Sequence, residues 1–281
     1  MGEARNGAKY FRHQIFNESG YVLMYPNIRP EDELLQSFPP DPLTESATQQ
    51  FPLGTKLIQG ERVWRYCKNS ASAITVVGNI LQGPAAVHAT IEDDIVVAAS
   101  KGQTYAIGSY DITVTSTTDI DTGAWATEDG AKEGYIYVNG GTGIGQCRKI
   151  KHHEAFVTTG TALVEVYEPW KVAPIAGDTE VGLAENSYSN VVVAAAGVTA
   201  PPVGVATIAI TASYYFWAQS GGPCAVTCHA AIAHGVPAVV GTTAGEIDPF
   251  SAFTTEYIVG WPITPGIKDN DAALIFLTID R

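Results

Sequence analysis

From Phe51 onward, apolar and polar residues alternate in short runs that Gly, Pro, Asn and Asp interrupt, and no run carries a helical period. The runs are Arg62 to Cys67, Ser72 to Val77, Asp111 to Ser116, Tyr135 to Asn139, Gln146 to Ile150, Ala162 to Tyr167 and Ser189 to Ala194. They continue with Thr207 to Ala212, Tyr214 to Gln219, Cys224 to Cys228, Tyr257 to Trp261 and Ala273 to Ile279. Short strands separated by turn residues predict an all-β chain of short-stranded β-barrel or sandwich domains, a β-tulip-like arrangement among them. The sharpest local pattern is a hairpin: Tyr135 to Asn139, a Gly140-Gly141-Thr142-Gly143 reversal, then Gln146 to Ile150. Its glycines supply the positive φ angles that a tight turn requires.

The first stretch, 1–50, has a different texture. Pro26, Pro30, Pro39, Pro40 and Pro42 break any long element, and aromatics stand singly between polar residues. One short helix fits, opened by Pro30-Glu31-Asp32-Glu33 and followed by Leu34 and Leu35. The pattern predicts an extended, mostly irregular N-terminal arm with little core of its own, which another surface is expected to hold. Gly197 to Pro202 reads as a stiff linker. It divides the rest into a main β domain over 51–196 and a smaller C-terminal β domain over 203–281.

Composition narrows the function. A chain of 281 residues can bury enough surface to be stable without metal or disulfide. Its formal net charge of -13 gives a field that repels phosphate and anionic lipid, so neither direct nucleic-acid contact nor a membrane surface is expected. The opening MGEARNGAKY lacks the apolar core of a signal peptide. Reduced, buried cysteines and synthesis in a cytosol are the expectation for Cys67, Cys147, Cys224 and Cys228.

Candidate chemistry is sparse. Asp121-Thr122-Gly123-Ala124 matches the short signature of an aspartic protease, but Thr118-Asp119-Ile120 is not the apolar strand that buries such a carboxylate, and a turn is the better reading. Cys224, Cys228, His229 and His234 are four potential zinc ligands, yet adjacent positions 228 and 229 point to opposite faces of a strand. Buried thiols and surface histidines are expected instead. Gly141-Thr142-Gly143-Ile144-Gly145 fits no phosphate-loop spacing. His152-His153-Glu154, past the hairpin, reads as solvated. No catalytic, cofactor or metal residue is assigned, and no enzymatic activity is expected. Tyr214 to Trp217 is the densest aromatic run, with Tyr214 and Phe216 on one face and Tyr215 and Trp217 on the other. It fits a strand buried on both sides or, more sharply, an intersubunit contact.

Several stretches resemble the head decoration, or cement, proteins of tailed bacteriophages: Phe51 to Thr55, Glu61 to Asn69, Gly134 to Asn139 with Gly145 to Ile150, and Thr211 to Pro223. The resemblance implies a β protein, often a homotrimer, bound to the major capsid protein on the outer face of the virion, where it stabilises the head. The arm and the four cysteines fall outside that pattern. The competing expectation is another virion component, such as a tail or fibre adhesion protein.

Overall fold

A computed structural model of the chain describes residues 14–16, 21–24, 40–85, 95–102, 104–117, 120–197, 199–251, 256–265 and 271–280. Apart from one 3₁₀ turn, Gly123–Ala126, the regular structure among these residues is strand. In chain order the strands are β1 Gln14–Phe16, β2 Tyr21–Met24, β3 Lys56–Gln59, β4 Arg62–Lys68, β5 Ile80–Gln82, β6 Ile95–Val96, β7 Asp111–Thr117, β8 Tyr135–Gly140 and β9 Cys147–His153. They continue as β10 Thr159–Val166, β11 Glu180–Ala184, β12 Val192–Val193, β13 Pro202–Val205, β14 Tyr215–Thr227, β15 Ala238–Val240, β16 Ile247–Pro249, β17 Ile258–Pro262 and β18 Ala272–Thr278.

Two sheets result. Strands β6 to β11 form a six-stranded antiparallel sheet in the order β6-β11-β8-β9-β10-β7. It curls until its edges nearly meet: Val97 bridges Val114, the Ala98 N–H donates to the Thr113 carbonyl at 2.9 Å, and Thr115 Oγ1 donates to the Val96 carbonyl at 3.1 Å. Alternate side chains fill this barrel, with Ile112, Val114, Ile136, Ile150, Val164 and Val181 inside. Trp125 and Phe156 plug one end and the buried Trp170 the other.

All other strands join a larger sheet with a half-barrel form, its main path running β1-β2-β3-β4-β14-β18-β17-β15-β16. At its centre β14 pairs with β4 on one side and β18 on the other. Phe216 enters one apolar cluster with Cys67, Ile74 and Leu81, while Trp217 enters another with Phe51, Leu57 and Trp64. The aromatic run is therefore buried on both faces.

The barrel is an insertion between β5 and β12. The strands flanking the expected boundary at 197–202 lie together, since β12 and β13 both pair with β5. β4 in turn finds its partner across the whole barrel, in β14.

The described part of the arm joins the larger sheet. β1 and β2 form a hairpin, and β2 extends the sheet through Tyr21 opposite Gln59 and Met24 opposite Lys56. Ser46 exchanges backbone hydrogen bonds with Tyr215 at 2.9 and 2.8 Å, and Glu45 accepts from the Thr211 N–H and hydroxyl, both at 2.7 Å. The end of the arm is thus held by its own body. The helix expected from Pro30 lies outside the described residues. Two expected strands, Ser72 to Val77 and Thr207 to Ala212, shrink to a single bridge between Ile74 and Ile210. Conversely, Tyr214 to Gln219 and Cys224 to Cys228 fuse into the one long strand β14.

Candidate functional site

Strand β18 reads Ala-Ala-Leu-Ile-Phe-Leu-Thr, apolar at every position before Thr278. Ala273, Ile275 and Leu277 point inward, onto a core shared with Val226, Ala238, Ile247 and Val259. Pleating sends Leu274 and Phe276 the other way, and they remain 36% and 43% exposed. On the neighbouring β17, Trp261 lies opposite Phe276 and is 45% exposed. The Ile263 N–H donates to the Leu274 carbonyl at 2.8 Å, which sets a fourth apolar side chain, 43% exposed, on the same border. On the other flank, Pro223 and Ala225 of β14 face Phe276 and Leu274.

Gly260 makes the aromatic pair possible. A Cβ there would collide with the Phe276 carbonyl and the Ile275 side chain, so β17 and β18 close at this register only around a glycine. None of the side chains named on this face is charged, although the chain as a whole carries -13. Exposed Trp and Phe side by side, continued by Leu and Ile, form an apolar patch of the kind that marks an interaction surface. The Tyr214 to Trp217 run, the earlier interface candidate, is instead interior. The signal in the sequence for this apolar face was the lack of alternation in β18, a pattern usual in strands covered on both sides.

The other sequence candidates are dispersed. Asp121 accepts from the Thr158 hydroxyl at 2.7 Å and stands in the turn that leads into the 3₁₀ segment. Cys224 and Cys228 are buried in the core beneath β18; burial pushes the Cys224 thiol up to about 12 and also raises Cys228. His229 turns outward to Thr243, its Nδ1 3.1 Å from the hydroxyl, and His234 is exposed. No group of three or more metal-ligating side chains forms among the described residues. Cys147 corrects the expectation of four buried thiols: it begins β9 on the outward face and is exposed.

His153 corrects another expectation, for it is fully buried rather than solvated. Its Nδ1–H donates to the Glu154 carbonyl at 2.8 Å and its Nε2 accepts from the Ala131 N–H at 3.0 Å, against the Trp125 and Phe156 rings. Desolvation lowers its pKa, so the neutral imidazole serves as a structural pin. His152 is half-buried and pairs with Asp129 at 2.8 Å. The Gly141 to Gly145 loop is the hairpin tip, and Asp178 accepts from its Thr142 N–H at 2.9 Å. A carboxylate there occupies the place a phosphate would need.

No known family, no curated protein and no solved structure matches this chain.

Proposed function

We propose that this chain is a structural virion protein that binds the outer surface of a phage capsid and stabilises the head, acting as a homotrimer. The observation that carries the reading is β18, a strand apolar on both faces whose outer side holds Trp261 and Phe276 in solvent. Such a strand is completed by another molecule. Covering what remains exposed removes on the order of 100 Å² from each aromatic, worth about 2 kcal/mol apiece. A second copy of the chain is the occupant of this face: copies that repel through their net charge can still meet where the surface carries none. The acidic field also suits a layer outside the shell, away from packaged nucleic acid, with the major capsid protein as the partner. Adhesion of this kind requires no catalysis or cofactor. The resemblance at Phe51 to Thr55, Glu61 to Asn69 and Thr211 to Pro223 points to the same role.

Analytical ultracentrifugation and co-sedimentation test the reading together. A trimer that pellets with expanded heads but not with precursor shells is the expected result, and Trp261→Ser with Phe276→Ser is expected to yield monomers with an unchanged circular-dichroism spectrum. A monomeric wild-type chain, or one that ignores expanded heads, overturns it.

A further inference from the structure

The end of the arm and the centre of the larger sheet enclose a pocket of about 150 Å³, a size that accommodates one six-membered ring. Its floor is aromatic: Phe51, Tyr66 and Trp217 are buried and pack at steep angles, with ring centroids 5.0 to 5.4 Å apart. Tyr215, half-buried, stacks on Tyr66 at 6.0 Å. The exposed Asp41 and the half-buried Gln50 line the pocket from the arm side. The arm is fixed before any ligand arrives: Ser46 pairs with Tyr215, both Glu45 carboxylate oxygens accept from Thr211, and the Thr44 hydroxyl donates to the Asp41 carbonyl at 2.9 Å. A site ordered in this way loses little conformational freedom on binding.

Four side chains of this pocket keep hydrogen-bonding capacity that no described residue uses. The buried Tyr66 hydroxyl accepts from the Gln50 N–H at 2.9 Å, yet its own proton meets no acceptor among the described residues. Desolvation raises its pKa, so that proton stays on the oxygen. The Tyr215 hydroxyl likewise has no hydrogen-bond partner among the described residues. Asp41 Oδ1 accepts from the Leu43 N–H at 2.9 Å, while Oδ2 receives no donor from the described residues. Gln50 turns its amide nitrogen to Ser46 and Thr48, 2.7 Å from the Thr48 hydroxyl, and its Oε1 receives no described donor either. The pocket therefore offers two O–H donors and two acceptors around apolar ring edges. A buried hydroxyl proton without an acceptor is a cost that a ligand oxygen removes.

Charge and donor count decide the class of ligand. An anion would face Asp41 and Glu45, with no Lys, Arg or His in the lining to receive it. A cation brings donors alone and leaves both tyrosine protons unmet. The chain also supplies its own cation to the Tyr215 ring, with Lys68 Nζ 5.7 Å from the centroid. What fits is a neutral ring whose polar groups each donate and accept. A sugar hydroxyl can take the Tyr66 proton and give its own to Asp41, while the C–H groups of the sugar lie against the aromatic floor. We infer that this pocket binds one pyranose ring of a glycan, with Tyr66 and Tyr215 as donors and Asp41 and Gln50 as acceptors. The inference goes beyond the capsid reading and depends on neither the trimer nor the shell.

The test is saturation-transfer-difference NMR of the full chain with the methyl pyranosides of glucose, galactose, mannose and N-acetylglucosamine, at up to about 10 mM, which suits dissociation constants of about 1 mM. At least one is expected to draw saturation, and its affinity is expected to fall about fivefold, the loss of one hydrogen bond, in Tyr215→Phe and in Asp41→Asn. Each variant changes one polar group and keeps the packing, the asparagine retaining an acceptor for Leu43, so both are expected to melt with the wild type. Should Tyr215→Phe melt lower, the variant at the exposed Asp41 decides alone. Absence of saturation for all four sugars overturns the inference. So does a sugar that binds both variants as tightly as the wild type, because it then binds elsewhere on the chain. Agmatine bound in place of the sugars, and lost in Asp41→Asn, makes the pocket a cation site and overturns the assignment. Head binding is read separately by co-sedimentation, so failure here leaves the capsid reading standing.

Discussion

Glu133 joins the two β bodies through a single carboxylate. It is 3% exposed, sits at a φ of 66°, and accepts from Gln49 Nε2 at 2.6 Å and from the Leu53 N–H at 2.7 Å, while Asn186 Nδ2 donates to its carbonyl at 2.9 Å. Burial raises its pKa, only partly offset by Lys149 and by these donors. A raised carboxylate binds its proton more tightly in the fold than in the unfolded chain. Its contribution is therefore fully present below the ordinary glutamate value and is lost as pH rises through the folded value, leaving a cost at neutrality. Glu133→Gln removes the buried charge and keeps an acceptor for Leu53, while Gln49 retains the Phe51 carbonyl as a partner at 3.0 Å. The variant is expected to melt no lower than wild type at pH 7, with the gap between them closing toward pH 4. Glu133→Ala strands the buried Leu53 N–H and removes one of the two acceptors of the part-buried Gln49 amide, and is expected to cost about 1 to 3 kcal/mol in urea unfolding. A glutamine variant that melts as low as the alanine one at pH 7 would show that the charge itself is required. Neither Glu133 nor His153 was legible as a buried pin. Each lies in a polar stretch, and only the closure of the barrel and its seating on Gln49 and Leu53 withdraw them from water.

At the scale of elements, the hairpin of β8 and β9 was fully legible, because its turn glycines and flanking alternation are local. The register agrees, with Tyr135 opposite Lys149 and Tyr137 opposite Cys147. Strand β14 was not, since Ser220-Gly221-Gly222-Pro223 reads as a break between two strands. The break is absorbed by a bulge: pairing with β4 slips between Gln219 and Gly221 and then ends at Val63, so the missing N–H of Pro223 falls beyond the β4 ladder, while pairing with β18 continues to Thr227. Gly222 makes the passage possible with a φ of 77° and with the Glu61 carbonyl where a Cβ would stand. Gly222→Ala meets both a left-handed backbone and an immovable carbonyl. A loss of at least about 2 kcal/mol is expected in urea unfolding, and a variant as stable as wild type would mean that the bulge rearranges freely.

For the whole molecule, the all-β class followed from local patterns, while the insertion of the barrel between β5 and β12 shows only in the strand pairing. A domain inserted between β5 and β12 leaves no compositional mark, and the pairing of β4 with β14 spans roughly 150 residues without a local cue. The same long-range contacts change what the first 50 residues are expected to do. Read as a free gripping arm, they could be removed without harm to the fold. In the structure, β1 and β2 cover the edge of β3, Ser46 pairs with Tyr215, and the Gln50 N–H donates to the Tyr66 hydroxyl at 2.9 Å above the Phe51, Tyr66 and Trp217 cluster. Deletion of residues 1–50 bares a sheet edge and uncovers those aromatics, and a bare edge invites pairing with other chains. The truncated protein is expected to melt well below the full chain and to aggregate on concentration, measured by scanning calorimetry and light scattering. A truncated protein that melts with the full chain and stays soluble would return the segment to the role of a detachable arm. Reduced head binding by the truncation alone cannot separate those cases. The melting point can, because a detachable arm contributes contacts to the partner and an integral edge contributes stability to the chain before any partner is met.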